Sequence, residues 1–426
     1  MKYAYINGII LDGTAEMEPI KGKVVLVDGD KIEDIADEGI NLDSYETIDL
    51  KGSYLMPGLI NMHVHLAGNG KPQKKQRDNT KLVKLLFSNP ISARVAYYLV
   101  KKYAEIELNS GVTTIRTVGG LKDLDIKIRD EINEGKSIGP RILTSGEGIS
   151  VQGGHMAGSV AIVAHNIEEA KKHVDHLKEK KADFVKLMIT GGVMDAKEKG
   201  TPGEMKMEPK MVKAICDYAH ENGFYVAAHV ESPEGVIIAL ENGVDSIEHG
   251  AEVDKYTIDL FKQRKAFVCT TISPALPYAM FDRSISNASE VEQYNGNVVL
   301  QGIIDCSKNA LENNIPVALG NDVGCPWVSQ YDFWRELVYF TKYVKADNRL
   351  ALHIATKGNA DLAGIGDITG TIEKGKDADI IITKDNPLDD LHTLRNVSMV
   401  MSRGKLIREP KVNRKAEVDE QLDKFC

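Results

Sequence analysis

Between residues 58 and 363 the chain repeats one unit, a short apolar run of strand character followed by a helical stretch. The runs fall at 58–64, 113–118, 141–146, 184–189, 225–230, 245–249, 266–271 and 316–320. Short runs that stay apolar instead of alternating read as strands buried on both faces. Strands that alternate with helices are joined by crossovers and run parallel. Eight such units in a segment of this length predict a (β/α)8 or TIM barrel, an α/β fold over residues 58–363. The helical stretches are punctuated as helices should be: Pro209 precedes the run 211–221, and Gly223 closes it. The units share a pattern only, which argues against a solenoid.

The ends of the chain have a different style. Apolar runs at 3–6, 9–11 and 24–27 are split by Asn7-Gly8 and followed by Asp28-Gly29, which are hairpin signals. The runs 378–382 and 397–401, with a turn at Arg403-Gly404, repeat this style near the other terminus. Residues 1–57 and 364–426 together therefore predict a small β-sandwich flanking the barrel. The polar stretch 411–426 reads as a surface helix or frayed end. Two connections, 66–92 and 273–297, are too long for plain turns and belong where barrel enzymes shape their substrate sites; the second carries Pro274 and Pro277.

Composition narrows the function. A chain of 426 residues that is 42% hydrophobic and 27% charged builds a sizeable soluble core, and its length calls for more than one domain. The net charge of -9, without a basic run, makes nucleic acid an unexpected partner. No run of 18 apolar residues is present, so no membrane span is expected, and the first residues lack a signal-peptide pattern. The five cysteines (Cys216, Cys269, Cys306, Cys325, Cys426) lack CxxC spacing, which fits a reducing cytoplasm better than a disulfide framework. Cys216 and Cys269 sit in helix and strand patterns and are expected in the core.

The chemistry starts at His63-Val64-His65, which ends the first run. Residues two apart on a strand share a face, so two imidazoles can converge on one cation. The motif alone does not decide the matter. However, His229 ends the run 225–230, His249 ends 245–249 before Gly250, and Asp322 follows 316–320. Each is a ligand-type residue at the C-terminal end of a different strand, the end where (β/α)8 enzymes keep their active sites. Lys186 stands inside an otherwise apolar strand. Burial depresses an ammonium pKa, and a neutral amine can add carbon dioxide to become an anionic carbamate; pairing with a nearby acid is the other reading. The remaining histidines, His165, His173, His176, His220, His353 and His392, read as surface or packing residues.

These residues, with MPGLINMHVH (56–65), GVTT (111–114), Val118-Gly119, GGH (153–155), TGG (190–192), SIEHG (246–250), Gly320-Asn321-Asp322 and GTIEKGKDAD (370–379), resemble the amidohydrolase superfamily, in its binuclear carboxylated-lysine branch. Within it the chain is most similar to the prolidase-like group of Xaa-Pro dipeptidases and Xaa-Arg/Lys carboxypeptidases. The resemblance implies two divalent metal ions, zinc first among them. His63 and His65 would hold one with Asp322 beside it, His229 and His249 the other, and Lys186, carboxylated by carbon dioxide, would bridge both. It implies an activated water that attacks an amide carbonyl, with Asp322 as the catalytic proton carrier. His155 would contact the substrate or its tetrahedral intermediate. It also implies a small-molecule substrate and a homo-oligomer.

The chain departs from its relatives in two places. A relative's second histidine on the fifth strand is replaced in His229-Val230-Glu231, and an Arg-Asp pair after the second strand by Arg116-Thr117. Neither change touches the six metal-site residues. Glu231 shares a face with His229 and is expected in the substrate pocket, favouring a cationic or hydrogen-bond-donating group. Arg116 is expected to be a structural charge, and Glu248, opposite His249 on its strand, to pair with a helix. Cyclic-amide hydrolysis or heterocycle deamination would use the same site. An inactive scaffold is the reading from another class, and the intact ligand set speaks against it.

Overall fold

The computed structural model describes residues 1–73 and 78–426. Residues 74–77 of the first long connection lie outside the described residues.

Each of the eight apolar runs between 58 and 363 forms a parallel strand. Leu59–Val64, Val112–Thr117 and Arg141–Thr144 make a three-stranded sheet in that order. Val185–Met188, Val226–Val230, Ser246–His249, Phe267–Thr270 and Val317–Leu319 follow in sequence order across a seven-stranded sheet. Its other two strands, Gly148–Ser150 and Ala161–Val163, were not foreseen. They extend the third run beyond Thr144 and add a short parallel return. Hydrogen bonds link the sheets at both edges. Asp322 N–H donates to His63 O at 2.9 Å and His65 N–H to Val323 O at 2.8 Å, while Asp183 N–H donates to Thr144 O at 2.8 Å. Gly320 permits the first of these links: a Cβ there would lie 2.4 Å from His63 N.

Helices cover the strands, and the local sequence starts them. Asn166 and Ser232 cap Ile167–Glu179 and Pro233–Glu241, and Ser289 and Glu292 form a capping box on Glu290–Glu312. Proline occupies the first turn of Pro90–Asn109, Pro209–Glu221 and Pro233–Glu241.

The terminal segments form a four-stranded sheet (Lys31–Asp37, Lys23–Asp28, Lys2–Ile6, Glu46–Asp49) and a five-stranded one (Lys405–Ile407, Met399–Ser402, Ile380–Thr383, Tyr54–Pro57, Ile9–Ile10). Tyr5, Val27 and Ile48 of one pack with Leu55, Ile380 and Met401 of the other in a shared apolar cluster.

One expectation needs correction, and the alternative left open for the tail is resolved in favour of a helix. The stretch 273–297 is not a loop. It holds helices Ile272–Met280 and Arg283–Ser286 and the start of Glu290–Glu312. The first lacks a capping side chain of its own. Instead, the Glu336 carboxylate accepts from Ile272 N at 2.5 Å and Ser273 N at 2.9 Å, a cap supplied from a distant helix. The tail is docked, not frayed. Helix Ala416–Leu422 buries Val418 and Leu422, and Arg335 donates to Asp419 at 3.0 Å. Among the described residues no helix is long and apolar enough to cross a membrane.

Candidate metal centre and active site

A cavity of about 300 Å³ opens at the C-terminal ends of the parallel strands. His63, His65, Lys186, His229, His249 and Asp322 all line it, as do His155 and Glu231. The sequence reading had chosen all eight. His165, His173, His176, His220, His353 and His392 do not line it.

The imidazoles form a chain of rings across the cavity floor. Ring centroids are 5.4 Å apart for His63 and His65, 4.8 Å for His63 and His249, 4.7 Å for His229 and His249, and 4.0 Å for His155 and His229. Regular alternation along Ser246–His249 would turn either Glu248 or His249 inward, not both. His249 escapes this rule through a left-handed backbone, φ 70°, and Asp322 through φ 55°. Such values are uncommon for residues other than glycine, and they cluster where a site over-determines the backbone.

Each ring is oriented by what lies behind it. His63 Nδ1–H donates to Glu248 Oε2 at 2.7 Å, and His65 Nδ1–H to Gly119 O at 3.0 Å. His229 uses its other nitrogen, with Nε2–H donating to Gly191 O at 3.1 Å, and His249 Nδ1 bonds Thr271 Oγ1 at 2.6 Å. Nε2 of His63 and of His65 lie 3.5 and 3.4 Å from Asp322 Oδ1. With Nδ1 protonated, both nitrogens turn lone pairs toward a carboxylate oxygen. That oxygen, although buried, has no hydrogen-bond partner. Lone pairs facing lone pairs fit a cation between them. The donor set is imidazole and carboxylate, which suits zinc and its neighbours. Among the described residues three overlapping groups have ligand atoms within 4.8 Å of one another: His63, His249 and Asp322; His229, Glu231 and His249; and, behind the rings, His63, Glu248 and Cys269. Glu231 is therefore within reach of a metal as well as of a substrate.

Lys186 is buried, and its Nζ has no hydrogen-bond partner. Burial pulls its pKa down to about 8 against the pull of Glu248. Burial likewise lowers the pKa of His63, His65, His229 and His249, favouring the neutral, ligating ring. Glu231 moves the other way, up to about 8, through burial and the nearby charges of Asp322 and Asp195.

The most similar family is decided by the length of the match. The model of the amidohydrolase family matches residues 54–407. The chain belongs to the amidohydrolase family. Among solved structures, this amidohydrolase is similar to a protein from Bifidobacterium longum assigned as a prolidase: 32% identity, TM-score 0.87, covering 99% of this chain and 98% of the other. A Xaa-Pro dipeptidase with bound methionine in its active site is 29% identical with a TM-score of 0.83, covering 96% and 100%. Ochratoxinase from Aspergillus niger is 26% identical over 394 residues, 84% of this chain and 76% of the relative. These place the chain with the prolidase-like hydrolases.

Three groups in the amidohydrolase site escaped the sequence reading. Asp195 holds His155 Nδ1 at 2.6 Å and accepts from Gly192 N at 2.9 Å. Thr271 backs His249. Glu248 does not pair with a helix, as alternation had suggested. It faces inward beneath the ring chain and is held by Arg116 at 2.7 and 2.8 Å. The available signal was a charged residue, Arg116, Lys186 or Glu248, inside each of three strands that are buried throughout.

Proposed function

We propose that this amidohydrolase is a metal-dependent hydrolase of an amide bond in a dipeptide or N-acyl amino acid. One observation carries the reading: bare imidazole nitrogens and the unpartnered Asp322 oxygen converge in the cavity floor, next to a buried lysine whose Nζ makes no hydrogen bond among the described residues.

In this reading the two linked sheets close as a (β/α)8 barrel over residues 58–363, and residues 1–57 with 364–426 form the flanking β-sandwich. His63, His65 and Asp322 hold one divalent cation, zinc being the first choice. His229 and His249 would hold the other, and Lys186, as its carbamate, would add an anionic ligand. Two such cations, when bound, would supply polarisation of the scissile carbonyl and a water that loses its proton near neutral pH. The Asp322 carboxylate takes that proton and hands it to the leaving nitrogen. His155, fixed by Asp195 and stacked on His229 with rings 4° from parallel, presents Nε2 to the substrate carbonyl. Glu231, whose Oε2 is buried without a partner, favours a cationic or hydrogen-bond-donating substrate group.

The test pairs metal analysis with a substrate panel. Zinc retained by mild purification, with turnover of N-acyl amino acids or of Xaa-Pro, Xaa-Arg or Xaa-Lys dipeptides, is the expected result. Turnover confined to hydantoins, lactams or aminated heterocycles would reject the peptidase-like substrate. A protein that neither holds nor takes up metal would reject the whole reading.

A further inference from the structure

Beneath the ring chain lies a polar knot with no access to solvent. Arg116, Ser246 and Glu248 are each completely buried, and His63 is 1% exposed. The Arg116 guanidinium is placed by four acceptor atoms on three residues. Its Nε donates to Met62 O at 2.7 Å, Nη1 to Ser246 Oγ at 3.3 Å, and Nη2 to both Glu248 oxygens. Phe184 and Phe267 flank it, with ring centroids 5.4 and 5.6 Å away. Ser246 Oγ donates to Glu248 Oε1 at 2.5 Å. The carboxylate is thus clamped by Arg116 from another strand and by Ser246 on its own strand before His63 is considered, and its Oε2 is aimed at His63 Nδ1.

A buried ion pair is an expensive way to gain stability, since apolar residues of similar volume often do as well or better. This one lies directly behind a candidate ligand, at 2.7 Å, in the range of charge-assisted bonds. A carboxylate can only accept, so it fixes the proton on Nδ1 and leaves the lone pair on Nε2, facing Asp322 and the cavity. The opposite tautomer would aim an N–H at the place where a cation has to sit.

We propose that Glu248 is a positioning residue for the metal centre. It sets the tautomer and orientation of His63, and Arg116 and Ser246 serve to hold Glu248 in that task. The inference rests on the metal-centre reading above. Groups behind a ligating histidine are worth about 10–100-fold in metal affinity.

Two experiments decide it. In the first, zinc affinity is measured by chelator competition on metal-stripped wild type, Glu248→Gln and the double variant Arg116→Met/Glu248→Gln, with thermal melts of the metal-free proteins alongside. In Glu248→Gln, Arg116 claims the amide oxygen and turns the NH2 toward His63, so affinity should fall about 10–100-fold in the folded protein, while the uncompensated Arg116 charge lowers the melt. In the double variant that oxygen is free to turn to His63, and part of the affinity should return. A merely structural salt bridge would move affinity only in step with the melt, so the affinities are compared well below the lowest melt, where all three proteins are folded. Affinity equal to wild type in a folded Glu248→Gln overturns the inference and leaves the metal reading standing. Wild type that takes up no zinc overturns both.

The second experiment needs no substitution at the knot and stands even if Glu248→Gln fails to fold. Long-range proton–nitrogen correlation spectra of metal-free, histidine-labelled wild type should show His63 protonated on Nδ1, with the resonance assigned by its loss in His63→Gln. Protonation on Nε2 overturns the inference.

Discussion

Lys186 poses the sharpest question at the scale of one residue. An ammonium buried beside Arg116 and four imidazoles is held charged by Glu248 and Asp322, and its pKa of about 8 leaves a usable fraction of free amine at neutral pH. The carbamate reading predicts that Lys186→Ala loses well over about 100-fold in activity and in metal content, since even groups behind the ligands are worth about 10–100-fold. Wild type supplied with 13C-bicarbonate should show a labelled carbamate carbon that the variant lacks. A variant that keeps its metals would return Lys186 to the role of counter-ion for Glu248. Glu231 makes a second residue-scale prediction. If its unpartnered oxygen binds a donor on the substrate, Glu231→Gln should lower kcat/KM for cationic substrates by about 10–150-fold, with little change for neutral ones, as expected for a lost bond to a charged group. A uniform loss across the panel would instead indicate a metal ligand, which its closeness to His229 and His249 also permits. The eight cavity residues were legible because strand ends are visible in sequence and ligand chemistry belongs to few residue types. Glu248 was hidden for a geometric reason. Alternation is a rule for regular strands, and His249 breaks it with φ 70°. Asp195 was hidden because it lies in a loop, where spacing carries no directional information.

Elements position these residues by close approach. The eighth parallel strand meets the first through Asp322 N–H and His63 O, and the Asn61 side chain donates to Asn321 Oδ1 at 2.8 Å across the same seam. Gly320 is what lets the two backbones come so near, since a Cβ would fall 2.4 Å from His63 N and 2.5 Å from His63 Cβ. Gly320→Ala should therefore separate the strands that carry His63 and Asp322. Overpacking of this kind costs about 1–3 kcal/mol, and metal affinity should fall together with the melting temperature. An intact melt and intact metal binding would show that the seam is softer than its distances imply. The strands were legible to within a residue or two because their apolar runs are short and bounded by glycine, proline or polar residues. The helix Ile272–Met280 was not, because two internal prolines read as loop and its cap, Glu336, is supplied from 64 positions along the chain. A local pattern does not contain a partner that only the tertiary fold brings near.

For the whole molecule, the folded state keeps several carboxyl groups away from water, and its stability must depend on pH accordingly. Asp125, in the helix Leu124–Asn133, is completely buried, and burial pushes its pKa up to about 7. The sign follows from linkage. A carboxyl whose folded pKa exceeds its unfolded value of about 3.9 stabilises the fold in its protonated form. That contribution is complete below about pH 4, falls with rising pH through the window where only the unfolded chain is ionised, and is gone above about pH 7. At about 1.4 kcal/mol per pH unit, the window removes roughly 4 kcal/mol. Asp125→Asn cannot titrate, so its stability relative to wild type should rise steadily from pH 4 to pH 7 and then level off. Denaturant midpoints of the two proteins, measured at unit pH steps from 4 to 8, give that difference directly. The comparison cancels the groups the two share, including Glu248, whose pKa moves the opposite way under the pull of Arg116. Parallel curves across the window would mean that Asp125 is already ionised at pH 5, and that this end of the molecule admits water to a carboxylate which the packing places out of reach.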